Sequence, residues 1–319
     1  MSARATLRLV NMLTLPNRDC KGAALYLPLV MLIALVNVAD GQISVNVDLV
    51  VLNPVVRERN GQFASDLREP DFAVYEDGVR QSIKIFHHED VPVTVGLVVD
   101  HSGSMKPKLR DVITAARTFV QSSRPDDQMF VVDFNEDVTL IAPDAIPAGN
   151  RSDALARAIS ERPASGKTAL YDAAVMAFSQ LSAGGGPEKK VLIVISDGGD
   201  NTSKHKLAEV LKTAERSSAL VYTIGIFDED DADKNPGVLS RLARATGGDA
   251  FFPGKNSEVI AICEGIARDI RNQYTIGYVS SNPARNDAWR SIRLTAAAPG
   301  HSKLQVRTRS GYLAGGASK

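Results

Sequence analysis

Asp100, Ser102 and Ser104 stand two residues apart on one short stretch, Asp100-His101-Ser102-Gly103-Ser104. A carboxylate and two hydroxyls gathered in this way are hard oxygen donors. They suit Mg²⁺, Mn²⁺ or Ca²⁺ better than zinc. Gly103 lets the chain bend tightly between the two hydroxyls. The stretch that delivers them, Val95-Gly96-Leu97-Val98-Val99, is apolar and rich in β-branched residues, and reads as a strand buried on both faces. Asp100 stands where that strand leaves its sheet. In open α/β sheets ligands bind beyond the carboxyl ends of the strands, so Asp100 is predicted to lie at the functional edge.

The elements needed to hold such a loop follow in order. Lys108 to Ser122 has a helical period, with Leu109, Val112, Ile113, Ala116 and Val120 on one face. Met129 to Phe134 reads as a strand, with Val138 to Ile141 beside it as a hairpin. Helices are predicted at Arg151 to Ser160, Ala169 to Leu181, Leu207 to Ala214, Val238 to Ala245 and Val259 to Arg271. Strands are predicted at Val191 to Ser196, Leu220 to Ile226 and Ala250 to Phe252. Gly247-Gly248 stops the helix before it. Strands alternating with helices imply a mainly parallel sheet covered on both faces.

Asp-x-Ser-x-Ser at the end of the first strand of such a region resembles the metal-ion-dependent adhesion site of von Willebrand factor type A domains. The resemblance implies a doubly wound, Rossmann-like α/β sheet that binds ligands through a metal ion. It also implies a Thr ligand from a second loop and an Asp ligand from a third. Thr168, in Gly166-Lys167-Thr168-Ala169-Leu170, and Asp197, after the apolar run Val191 to Ile195, match these in order and context. The implied ligand set is Asp100, Ser102, Ser104, Thr168 and Asp197. The implied cofactor is Mg²⁺, with Mn²⁺ or Ca²⁺ as alternatives, because Mg²⁺ keeps waters and accepts few protein ligands. Two carboxylates only balance a divalent ion, so a protein partner presenting Asp or Glu is expected to complete the coordination. No residue is placed as a general base, so no enzyme activity is expected. A metal-dependent hydrolase and a scaffold with a purely structural metal are the competing readings.

The regions on either side of the alternating part are all-β in pattern. Ile43 to Val56 reads as one half-buried strand with Val45, Val47, Leu49 and Val51 on one face. Asn60-Gly61 signals a hairpin. Phe72 to Tyr75 is predicted to turn at Asp77-Gly78 and return through Ile83 to Phe86. Tyr274 to Tyr278, Arg290 to Ala296 and Lys303 to Thr308 alternate again, with no helices to pack on. One β-sandwich built from both chain ends, with the α/β domain inserted, is therefore expected: residues 43–90 and 273–313 around 91–272. Asp71 to Gly78, Gln273 to Tyr278 and Gly311-Tyr312 resemble motifs of a bacterial group of exported proteins, the acidobacterial-type VWFA-related family.

Arg4, Arg8, Arg18 and Lys21 precede an apolar run from Ala23 to Val38, followed by Ala39-Asp40-Gly41. This is a signal-peptide pattern over residues 1–41, with Met12 as an alternative start. It predicts an exported protein that is periplasmic, cell-surface or secreted, with membrane attachment only through an uncleaved leader. Cys20 falls in the leader, which leaves Cys263 without an internal disulfide partner, on the apolar face of a helix. Lys+Arg and Asp+Glu are both 37, for a net charge of zero, which argues against nucleic-acid binding. Lys167-Thr168 lacks the glycine of a phosphate loop, since Glu161 stands in its place, so no nucleotide is expected. His87 and His88 are adjacent on a strand and point to opposite faces, so they are not expected to share an ion. His101 is expected to face away from the donor loop, toward solvent or behind the ligands. Asp172 and Asp200 are candidates for orienting the loops, and the acidic run Asp228 to Asp233 is expected on the same rim.

Overall fold

The computed structural model describes residues 49–141, 151–183, 187, 189–228 and 234–315. Short strands come first: β1 (Leu49–Leu52), β2 (Val55–Arg57), β3 (Phe72–Glu76), β4 (Val79–Gln81) and β5 (Ile83–His87). The alternating region contains β6 (Val93–Asp100), α1 (Leu109–Gln121), β7 (Gln128–Phe134), β8 (Val138–Ile141), α2 (Arg151–Ser160) and α3 (Leu170–Ala183). It continues through β9 (Lys189–Ser196), α4 (Leu207–Arg216), β10 (Leu220–Gly225), α5 (Pro236–Thr246), β11 (Ala250–Phe251) and α6 (Asn256–Arg271). Strands β12 (Thr275–Val279), β13 (Ala288–Ala296), β14 (Gln305–Arg307) and β15 (Gly311–Ala314) follow.

The central sheet has the order β11-β10-β9-β6-β7-β8. All its pairings are parallel except the β7–β8 hairpin. From Val95 to Val99 β6 is apolar because both its faces are covered. Val93, Val95, Leu97 and Val99 belong to the core layer of Val112, Ala116 and Phe119 from α1 and Val259, Ile266 and Ile270 from α6. Val98 belongs to the opposite layer, with Ala173, Ala177 and Phe178 of α3 and Leu239 and Leu242 of α5. Each fully buried aliphatic side chain of this kind contributes roughly 1.5–3 kcal/mol. Gly96 has no room for a side chain, since a Cβ there would lie 2.4 Å from the Phe130 ring. Cys263 is buried in the first layer, as its helix face predicts. The chain leaves β6 to one side for β7 and returns to the other side for β9. This reversal of strand order opens a crevice at the carboxyl end of β6.

The flanking strands form antiparallel sheets of order β1-β12-β5 and β15-β13-β3-β4, together with the pair β14-β2. Each sheet contains strands from before and after the α/β region. Leu52, Phe72, Val74, Tyr274, Ile276, Tyr278 and Leu294 fill the core between them. Asp269 of α6 ties the two parts together: Arg57 of β2 donates to one carboxylate oxygen at 2.5 Å, and Arg307 of β14 donates to the other.

Three expectations are corrected here. Val45 and Val47 lie outside the described residues, as does the leader. What is described of the stretch from Ile43 to Val56 is two strands, not one. Pro54, which has no N–H to donate, separates β1, which pairs with β12, from β2, which pairs with β14. The buried face of β1 is Val50 and Leu52, while Leu49 is 42 % exposed. All four residues of β1 are apolar, so the pattern within this strand carries no phase, and pairing with β12 sets it. The return from Gly78 also divides. β4 stays beside β3, and β5 crosses to β12. His87 and His88 do diverge: His87 is opposite Thr275, and His88 stacks on the Tyr274 ring with centroids 4.1 Å apart.

Candidate metal centre

Asp100 ends β6, and Asp197 follows the last residue of the adjacent β9. Both carboxylates are fully buried. Asp100 Oδ1 accepts from the Ser102 N–H at 2.8 Å, and its Oδ2 accepts from the Ser196 hydroxyl at 2.6 Å. A 3₁₀ turn, Gly103–Lys108, then carries Ser104 across to the second strand end. The Ser104 hydroxyl donates to Asp197 Oδ2 at 2.5 Å and lies 3.1 Å from the Ser102 hydroxyl. Asp100, Ser102, Ser104 and Asp197 are thus joined in one oxygen cluster at the crevice.

The loop that carries Thr168 is hydrogen-bonded to the donor loop through its backbone. The Gly103 N–H donates to Gly166 O at 3.1 Å, and the Ser165 N–H to His101 O at 2.9 Å. Gly166 has φ +80°, a conformation that favours glycine, and a Cβ there would meet the Glu136 carboxylate at 2.1 Å. The third loop is locked to the second by Asn201, whose side chain accepts from the Thr168 N–H at 2.9 Å. The Asn201 N–H in turn donates to Thr168 O at 3.0 Å. Asp172 accepts from the backbone N–H groups of Lys204 and His205, and Asp200 accepts from the Tyr171 N–H at 2.9 Å. Both aspartates therefore orient these loops.

The electrostatics fit a hard cation. Burial lifts the Asp100 carboxyl to about 6, and the charge of Asp197 adds to this, while hydrogen bonds from Ser102 and Ser196 pull the other way. A buried carboxyl with a like charge nearby is stabilised in its ionised form by a cation between them. Among the described residues, no three His, Cys, Asp or Glu side chains gather into a metal-binding group. The cluster here offers two carboxylates with hydroxyls, the oxygen donor chemistry of Mg²⁺.

The alternating region, residues 94–261, matches the von Willebrand factor type A domain family, and this match spans more than half of the chain. The chain belongs to the von Willebrand factor type A domain family. As a type A domain protein, it is 28% identical over 172 residues to inter-alpha-trypsin inhibitor heavy chain H2 of Mus musculus, covering 48% of this chain and 18% of that protein. It is 26% identical over 179 residues to an uncharacterized protein of Synechocystis, covering 54% of this chain and 40% of that one. It thus spans less than half the length of the curated relatives it matches. Among solved structures, a von Willebrand factor type A protein from Catenulispora acidiphila is 15% identical, with a TM-score of 0.47 over 83% of this chain and 74% of that one. The vWF domain of the type V pili tip protein Mfa5 from Porphyromonas gingivalis is 14% identical, with a TM-score of 0.47 over 57% of this chain and 95% of that one.

His101 faces away from the donor loop, and of its two expected places it takes the one behind the ligands. It is wholly buried, with Nε2 2.8 Å from Ile159 O at the end of α2 and Nδ1 2.9 Å from Asp133 Oδ2 on β7. The type A loop therefore has a histidine post beneath it. The sequence reading missed Ser196, Asn201 and Lys108. Ser196 was legible as the polar end of an apolar strand. The helical period places Lys108 at the start of a helix, yet its side chain is only 3% exposed and faces Asp197.

Proposed function

We propose that this type A domain protein is an exported binding module. In this reading Asp100, Ser102, Ser104, Thr168 and Asp197 hold one divalent cation, Mg²⁺ in the first place, some of them through water. Asp100 and Asp197 contribute two negative charges and the hydroxyls none, so the side chains neutralise the ion without making the site anionic. A bound divalent ion would supply an electrophilic centre open to an Asp or Glu side chain of a partner protein. Ser104 orients Asp197, and Ser196 and the Ser102 N–H orient Asp100, so the donors are positioned before the ion arrives. The single observation that carries this reading is the Ser104 hydroxyl, which links the carboxylate beside one strand end to the hydroxyl beside the other. The leader pattern at residues 1–41 supports export to the periplasm, the cell surface or the medium.

Calorimetric titration with Mg²⁺ and Mn²⁺ tests the site. Asp100→Ala is expected to abolish binding, because it removes one of two charges. Ser102→Ala is expected to weaken it less, since water can replace a neutral hydroxyl. Both variants should fold, because Asp100 is the last residue of β6 and Ser102 lies in the loop after it, and neither belongs to the apolar layers. Equal affinity in wild type and both variants would refute the assignment.

A further inference from the structure

The proposed ligands leave one buried cation of the site unexplained. Pro107 lies inside the 3₁₀ turn Gly103–Lys108, and the turn carries Lys108 inward rather than out to solvent. Its side chain is 3% exposed. The ammonium nitrogen is 3.9 Å from Asp197 Oδ2 and also 3.9 Å from Asp228 Oδ2. Asp197 Oδ2 is the same oxygen that accepts from Ser104. Asp228 follows β10 and is 55% exposed, so it belongs to the rim rather than the floor of the crevice.

A lysine is seldom buried unless carboxylates compensate its charge. Here one of the compensating groups is a carboxylate that the proposed metal ion also requires. We infer that Lys108 is a tethered counter-cation that competes with the divalent ion for Asp197 and sets its affinity, with Asp228 as the seat that receives the ammonium when the ion binds. This rests on the metal-site reading above. Without metal, Lys108 offsets the charge of Asp197 beside the buried Asp100. With metal, the like charge of the ammonium opposes the ion at short range, where the protein interior screens poorly. Because the ammonium is equidistant from the two carboxylates, it can shift toward Asp228 without losing a partner. Lys108 is therefore a positioning and tuning residue, and it keeps the loaded site more positive than the proposed ligands alone would make it. That favours an anionic partner.

The test is Mn²⁺ titration by calorimetry, with bound Mn²⁺ read independently by paramagnetic resonance. The proteins are the chelator-treated wild type, Lys108→Gln, Asp228→Asn, the double variant and Asp100→Ala. Lys108→Gln should bind Mn²⁺ about tenfold more tightly, or tighter still. Asp228→Asn should bind several-fold more weakly and lose most of that effect in the Lys108→Gln background, a coupling that simple loss of surface charge would not give. The metal-free Lys108→Gln protein should melt below wild type and recover with Mn²⁺. If Lys108→Gln binds no tighter than wild type while Asp100→Ala loses binding, the role of Lys108 is overturned and the metal site stands. If Asp100→Ala binds like wild type, both fall. Should Lys108→Gln fail to fold, Lys108→Met, which keeps the length of the side chain without its charge, takes its place alone and with Asp228→Asn: tighter binding and the same coupling support the inference, and unchanged affinity overturns it.

Discussion

Glu76 is a buried acid that the oxygen cluster does not involve. Its Oε2 accepts from the Tyr278 and Tyr312 hydroxyls at 2.8 and 2.9 Å, and its Oε1 accepts from the Ser280 hydroxyl at 2.5 Å and Arg290 Nη1 at 3.0 Å. These donors come from β12, β13, β15 and the turn after β12, so one carboxylate holds three strands to β3. Removing one partner of a buried ion pair leaves the other charge uncompensated, which is costlier than replacing both. Glu76→Ala is expected to destabilise the protein by about 3–5 kcal/mol in urea unfolding. Mg²⁺ affinity should not change, because this network sits in the flanking sheets. A loss within experimental error would mean that the carbonyls of Asn282 and Ala284 suffice for Arg290.

At the scale of elements, the connection between β13 and β14 is held to the segment after β2 by one histidine. His301 Nδ1 lies 3.0 Å from Glu58 Oε1, and its Nε2 lies 3.2 Å from Asp66 Oδ1. The hydrogen bond to Glu58, the charge of Asp66 and its hydrogen bond raise the imidazole above its usual 6.5, against a smaller effect of burial. Folding therefore favours the protonated form. The stabilisation from this contact is fully present below about pH 6.5 and is lost as pH rises through the folded-state value. The melting temperature of wild type should fall relative to His301→Gln between pH 6 and pH 8. Parallel melting curves across that range would show that the clip is energetically silent. α6 is held more firmly, since Asp269 receives two arginines and is almost entirely covered.

For the whole molecule, the decisive feature is that β12 lies between β1 and β5, and β13 lies between β15 and β3. Neither end of the chain completes a sheet by itself. Residues 43–90 and 273–313 are therefore proposed as one domain carrying the inserted α/β domain. Deleting Tyr274 to Lys319 would expose Leu52, Phe72 and Val74, which pack against Tyr274, Ile276 and Leu294. Two or three short strands without an apolar cover are not independently stable. Amides of β1 and β3 should then lose their protection in hydrogen exchange, while β6, β7 and β9 keep theirs. Full protection of β1 and β3 in the truncated chain would refute the shared domain.

The donor loop was legible because its information is local. An apolar run ending in Asp100 fixes a strand end, and two serines with a glycine between them fix the loop. The alternation of strand and helix periods likewise announces a parallel sheet, since strands buried on both faces have no polar alternation to confuse them. Thr168 and Asp197 needed a known pattern to be selected from many polar residues at loop positions. Other features depend on partners far along the chain. His101 is buried because Ile159 and Asp133 close over it, and nothing in its neighbours foretells that. β1 has four apolar residues and no phase until β12 pairs with it. The strand after Gly78 changes sheets because β12 offers β5 an edge. Lys108 looks like the polar start of a helix, and it points inward only because Asp197 and Asp228 arrive from two other strands to meet its charge. Periodicity along the chain determines which elements form. Their register, and the company kept by a buried charge, are settled only when distant segments pack.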